Sequence, residues 1–313
     1  MTKRYVFLFP GQGAQYPAMG IDFFDASGEV RDLFARASEI MGRDMRKLIA
    51  ETDAETLKRG DIAQPAVTLV NLSAAAALKS RGVSPCACAG HSLGEYAALA
   101  VCGVISADDS LRLTARRGTL MQKAGAALGE SGGGMAAVIG ISAAEIENII
   151  AKWTSGGGKD LYIANLNSPR QTVVSGSAAA LSEAEALFKE AGARRVIRLA
   201  VAGPFHCPLM AGAADEFAAV LDGVNFADPA TPFFSNVTGK QVTSGGEAKS
   251  LALRQICGAV RWLDEEAAIA ALTPDMALET GPGKALTGLW KDSGSSVPCF
   301  PAGTLADIDK LDI

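Results

Sequence analysis

Short β-rich runs alternate along this chain with long alanine-rich amphipathic runs, and that alternation restricts the fold to a mostly parallel sheet with helices laid across it. Residues 5–9 form the first β run and end at a glycine turn at Gly11. Helical patterns follow at about 30–41 and 65–80. An apolar run at 86–89 leads into Gly90-His91-Ser92-Leu93-Gly94, after which a helix continues to about Cys102. The segment 128–199 breaks the alternation, because its expected order is strand, helix, strand, strand, helix, strand. Glycines 132–134 precede a strand at 135–139, and Ser142-Ala143-Ala144-Glu145 has the spacing of a capping box that opens a helix reaching Trp153. Strands at 161–164 and 172–175 pair, a helix spans 178–191 before Gly192, and a strand at 195–199 closes the set. This is the split βαβ, or ferredoxin-like, order. Beyond it come a loop around His206, a helix at about 210–221 and strands at 233–235 and 276–279, while 153–160 and 243–249 read as irregular loops.

Composition removes several classes of function. With 29 Lys and Arg against 34 Asp and Glu, the net charge of -5 offers no general positive field for a phosphate backbone or an anionic lipid surface. Nucleic acid is not an expected partner. The longest apolar stretches, such as 97–105, are far shorter than the roughly 20 residues that a membrane crossing needs. Met1 to Tyr5 is polar and basic and runs at once into the first strand, so no signal peptide is expected there. Six scattered cysteines, Cys86, Cys88, Cys102, Cys207, Cys257 and Cys299, show no paired spacing and read as reduced thiols in a cytoplasmic protein.

Gly90-x-Ser92-x-Gly94 lies between an expected strand and an expected helix, the context of a nucleophile elbow. Small flanking residues let the chain turn sharply. The serine then stands at the strand's end, where helix N–H groups can meet a developing oxyanion. A serine hydroxyl needs a base, and the chain holds only two histidines. His91 is adjacent to Ser92, and side chains of neighbours at a tight elbow point apart. His206 remains, in Gly203-Pro204-Phe205-His206-Cys207-Pro208, a loop whose glycine and prolines constrain the ring. The alternative for His206 is a satisfied buried histidine. Two histidines and dispersed cysteines make no metal cluster, so no metal is expected. Gly11-Gln12-Gly13-Ala14-Gln15-Tyr16 lacks the third glycine of a dinucleotide fingerprint and the lysine of a phosphate loop.

The helix expected at about 107–124 sorts by its 3.6-residue period into two faces. Leu113, Arg117, Leu120, Met121 and Ala124 share the apolar one, whereas Arg112, Arg116, Thr119 and Lys123 share the polar one. An unpaired guanidinium on an apolar face costs several kcal/mol unless an anion or a set of acceptors meets it. An internal acid would satisfy Arg117. So would a substrate carboxylate, held bidentately, which would select a dicarboxylic acyl group over a plain acetyl.

Taken with Phe9-Pro10-Gly11-Gln12-Gly13, Arg117-Gly118, Asn165-Leu166-Asn167-Ser168-Pro169, Gln255 ahead of Val260-Arg261-Trp262, and Gly281-Pro282-Gly283-Lys284, these motifs resemble the malonyl-CoA:acyl carrier protein transacylases over about residues 5–300. The resemblance implies an α/β fold: an α/β-hydrolase-like parallel-sheet domain at 1–127 and 200–313, with a ferredoxin-like domain at 128–199 inserted. It implies Ser92 as the acylated nucleophile, His206 as its base, Gln12 and the Leu93 N–H as the oxyanion donors, and Arg117 as the holder of the malonyl carboxylate. Gln255 corresponds to the residue whose carbonyl orients the histidine. His91 and Phe205 fall beside the substrate, and Asn165 and Asn167 read as turn and interdomain hydrogen bonders. The implied partners are malonyl-CoA and an acidic acyl carrier protein, with no cofactor, and the chain is expected to act as a monomer. Lys189, Arg194, Arg195, Lys284 and Lys291 are candidates for carrier docking. Malonyl loading for a polyketide or decarboxylase system would use the same chemistry, and a serine thioesterase is the more distant alternative.

Overall fold

The computed structural model describes residues 3–128 and 132–313. Met1 and Thr2, within the stretch read for a signal peptide, and residues 129–131, at the start of the inserted segment, lie outside the described residues. Ten strands form two sheets: β1 (Tyr5–Phe9), β2 (Pro85–Gly90), β3 (Gly133–Ile139), β4 (Leu161–Ser168), β5 (Gln171–Ser177), β6 (Arg195–Arg198), β7 (Phe233–Ser235), β8 (Lys240–Val242), β9 (Met276–Glu279) and β10 (Cys299–Pro301). The larger sheet has the order β10-β9-β1-β2-β7-β8. It is parallel throughout except for the β7–β8 pair. The smaller, β4-β5-β3-β6, is antiparallel. The mixed α/β fold read from the alternation, with its split βαβ interruption, is borne out.

Burial explains why the strands form. Every residue of β1 is buried, as a strand covered by helices on both faces requires. One face packs on Phe7 and Phe9 with the long helices Gly60–Ser80 and Ala107–Ala127. The other packs Val6, Leu8, Trp262 and Trp290. The small sheet has its own core of Val138, Ile146, Val174, Leu181 and Phe188, and the capping box at Ser142 and Glu145 starts its first helix as expected. No helix among the described residues is long and apolar enough to cross a membrane.

Two expectations need correction. The helix expected from residue 65 starts at Gly60, with Pro65 inside it. Helix-to-helix packing carries it past the proline: a Cβ built on Gly118 would lie 2.1 Å from the Gly60 carbonyl oxygen, so two glycines let the backbones touch. The stretch 243–249, read as irregular, contains the start of the helix Gly245–Arg254, with Ser244 accepting from the Glu247 N–H. Its two leading glycines disfavour helix locally. Tertiary packing requires one of them, since a Cβ on Gly245 would lie 2.1 Å from the Phe226 carbonyl oxygen.

Candidate active site

Parallel β1 and β2 end side by side, with Phe9 opposite Gly90 and the His91 N–H donating to the Phe9 carbonyl at 2.9 Å. The turn after β1 and the elbow after β2 therefore meet at the carboxyl ends of the strands, where open α/β sheets bind ligands. Both elbow glycines are obligatory on steric grounds. A Cβ on Gly90 would lie 2.1 Å from the Gly94 carbonyl carbon, and one on Gly94 would lie 1.9 Å from the Phe9 oxygen. Between them Ser92 has φ of 50°, a left-handed conformation that costs a serine on the order of 1–3 kcal/mol.

His206 also has a left-handed backbone, φ 59°, and its Nε2 lies 2.7 Å from Ser92 Oγ. Its Nδ1 donates to the Gln255 carbonyl at 2.8 Å, which leaves Nε2 free to accept the serine proton. Burial, and secondarily the positive charge of Arg117, pushes the imidazole pKa down to about 3. The ring is therefore neutral, the form a base needs.

Arg117 is 1% exposed and forms no ion pair among the described residues. Its Nη1 donates to Gln64 Oε1 at 3.0 Å, and its Nη2 to Gln255 Oε1 at 3.1 Å and to Ser92 Oγ at 3.2 Å. Its Nε–H is buried with no acceptor among the described residues. The guanidinium is thus held by neutral oxygens beside the serine. Glu95, 1% exposed, follows the elbow and contributes charge nearby without bonding to it, and burial raises its carboxyl to about 7.

Gln12 is set by the same strand ends. A Cβ on the preceding Gly11 would meet the His91 carbonyl oxygen at 2.4 Å and the Leu93 nitrogen at 3.6 Å, so the Gln12 turn lies against the elbow. Neither the Gln12 nor the Leu93 backbone N–H has a protein acceptor among the described residues. The Gln12 side chain donates to the Lys58 carbonyl and accepts from Gln64 Nε2, each at 3.3 Å. His91 Nε2 lies 2.8 Å from Asn167 Oδ1, and its ring is edge-on to Trp262. Asn165 lies in β4, bridged to Val260. Phe205 is buried, and its carbonyl accepts from Ser175 Oγ. Hydrogen bonds thus join Ser92, His206, Arg117 and Gln255, with Gln12 linked through Gln64, while His91 and the Phe205 carbonyl bond to residues of the small sheet. A groove of about 380 Å³ is lined by Ile150, Leu161 and Ile163 of the inserted segment and by His206, Cys257 and Ala259.

Three participants escaped the sequence: Gln64, Glu95 and Asn236. Each is a buried polar residue within or beside an apolar run, and that was their only signal. Asn236 accepts from the Ser92 N–H at 2.7 Å. Beyond the carbonyl expected to orient the histidine, the Gln255 side chain bonds Arg117, Ser92 and Asn236.

Residues 6–305 match the acyl transferase domain family. The chain belongs to that family. It is 38% identical over 289 residues to the malonyl CoA-acyl carrier protein transacylase of Bacillus subtilis (strain 168), covering 92% of this chain and 90% of that protein. The acyl carrier protein S-malonyltransferase structure from Vibrio cholerae superposes with a TM-score of 0.92 at 35% identity, covering 98% of this chain and 99% of that one. A malonyl-transacylase solved in complex with its type II PKS acyl-carrier protein gives 0.92 at 34%, covering 98% of each. The transacylase resemblance read from the motifs is borne out.

Proposed function

We propose that this acyl transferase moves a malonyl group from malonyl-CoA to the phosphopantetheine thiol of an acyl carrier protein, through an ester on Ser92. The observation that carries the reading is the buried Arg117 guanidinium, without an acidic partner among the described residues and 3.2 Å from Ser92 Oγ. A cation to which no carboxylate is bonded among the described residues, beside the nucleophile, suits an acyl group that brings its own carboxylate.

His206 Nε2 takes the Ser92 proton as Oγ attacks the thioester carbonyl. The Gln12 and Leu93 backbone N–H groups receive the oxyanion, which the elbow helix dipole also favours. Collapse of the tetrahedral adduct breaks the C–S bond, and the coenzyme A thiolate leaves with the proton from His206. The carrier thiol then gives its proton to His206 and attacks the ester carbonyl; collapse breaks the Oγ–C bond, His206 returns the proton to Ser92 Oγ, and the malonyl group leaves as the carrier thioester. The mainly apolar groove suits the pantetheine arm common to both thiols. This chemistry calls for no cofactor or metal. One copy supplies every side chain in it, which suits a monomer, and free thiols at all six cysteines suit the cytoplasm. We take the catalytic unit as 1–127 with 200–313 and the insert as 128–199. The exposed Lys189, Arg194, Arg195, Lys284 and Lys291 are the docking candidates for an acidic carrier.

Incubation with labelled malonyl-CoA tests the proposal. A stable ester on Ser92, released by carrier protein much faster than by buffer, is expected. Rapid loss of the label to water would make the chain a thioesterase, and no label at all would leave it without this activity. Fatty acid and polyketide carriers tried side by side as acceptors assign the pathway; the relative solved with a type II PKS carrier warrants the second arm.

A further inference from the structure

Behind the nucleophile lies a polar residue to which the mechanism above gives no part. Asn236 follows β7 and is completely buried, yet every polar atom it has is engaged. Its Oδ1 accepts from the Ser92 N–H at 2.7 Å and from Gln255 Nε2 at 3.0 Å. Its Nδ2 donates to the Gly90 carbonyl at 2.8 Å and to Glu265 Oε1 at 2.7 Å. Its own N–H donates to Glu95 Oε2 at 2.7 Å, and its carbonyl accepts from the Arg261 N–H at 2.8 Å. Two donors on one side of the amide and two acceptors on the other allow only one orientation.

These contacts close a ring. Ser92 Oγ meets His206, His206 Nδ1 meets the Gln255 carbonyl, the Gln255 side chain meets Asn236, and Asn236 returns to the Ser92 peptide. Gln255 Nε2 also donates to the Ser92 carbonyl at 2.9 Å. Both reacting residues sit in left-handed backbone, and such strain persists only where neighbours over-determine it. Glu95 and Glu265, on separate helices, anchor Asn236 from other directions.

We infer that Asn236 is a positioning residue, holding the Ser92 peptide in its strained conformation and tying it to Gln255 so that nucleophile and base stay within reach of each other. The inference rests on the reading of Ser92 and His206 as the reacting pair. It predicts an effect on reaction rate with little effect on malonyl recognition, because Asn236 does not touch Arg117.

Two rates test it: single-turnover labelling of Ser92 over a range of malonyl-CoA concentrations, and inactivation by a fluorophosphonate, which needs the Ser92–His206 pair but no malonyl contact. Asn236→Ala, shown folded by circular dichroism, is expected to lose about 100-fold in both rates, the scale of a misplaced reacting group, with its half-saturating malonyl-CoA concentration within about threefold of the parent. Both rates staying within about threefold would overturn the inference, as would a change confined to the half-saturating concentration. Should Asn236→Ala not fold, Asn236→Asp serves instead, since it keeps the shape and the acceptor oxygen but loses the donors to Gly90 and Glu265. It is expected to lose about tenfold in both rates, and a loss below about threefold overturns the inference equally. A parent protein that reacts with the fluorophosphonate but takes no malonyl label would sink the malonyl reading alone, and the fluorophosphonate rates would still decide the role of Asn236.

Discussion

In the unit built on the larger sheet, the polar groups around Ser92 are fixed by short bonds from other elements of the same unit: His206 by Gln255, Gln255 by Asn236, and Arg117 by Gln64. Among the described residues, the unit built on the smaller sheet meets the site through His91, Phe205 and Val260. Asn167 takes His91 Nε2, Ser175 takes the Phe205 carbonyl, and the Leu166 N–H and Ala164 carbonyl join the backbone of Val260. The difference separates labour. Glycine-tight packing at parallel strand ends fixes the geometry around Ser92 and His206, whereas the antiparallel sheet bonds only to His91 and to the backbone of Phe205 and Val260 around it, among the described residues.

The sharpest way to break this contrast is Arg117→Ala. Losing a charge-assisted fork worth roughly 1.5–3 kcal/mol should lower malonyl transfer by about 100-fold and raise the use of acetyl-CoA relative to malonyl-CoA. Competition between the two thioesters measures it; a preserved malonyl preference would mean that the carboxylate is held elsewhere, the insert being the first suspect.

An effect of intermediate size concerns pH. His206 is held at about 3 in the folded protein, below the ordinary value of about 6.5 that it regains on unfolding. Between those values the unfolded chain binds a proton that the native one does not, so this group's contribution makes stability fall as pH drops from about 6.5 toward 3. The neutral base itself survives, and Ser92 labelling by malonyl-CoA should show no His206 limb between about pH 8 and 5. An acid limb near pH 6.5 would mean that the ring is more exposed than its surroundings indicate.

The smallest effect belongs to the insert. Ser142→Ala removes one half of the capping box and should cost about 1 kcal/mol of stability, read by urea unfolding, with the transfer rate unchanged. A matching fall in rate would show that the two units are not mechanically separate.

Much of this was legible in the chain itself. Strand runs, the capping box, the elbow glycines and the scarcity of histidine are local or compositional signals, and they were enough to single out Ser92 and His206. The helical period likewise put Arg117 on a buried face. Gln64, Glu95 and Asn236 were not legible, because a buried polar residue in an apolar run announces only that some partner exists. The helix at Gly245 was obscured for a related reason, since Gly245 answers to Phe226 and not to its neighbours in sequence.

By itself, then, the order of residues determined which elements form and singled out Ser92, His206 and a buried Arg117 as candidates, because those depend on periodicity, turn chemistry and residue type. Only the tertiary structure decided that no carboxylate bonds to Arg117 among the described residues and that the buried Asn236 links the Ser92 peptide to Gln255, which holds His206. Hydrogen bonds between residues as far apart as Ser92 and Asn236 exist only once the sheet has brought its strand ends together, and no local pattern encodes a distance across it.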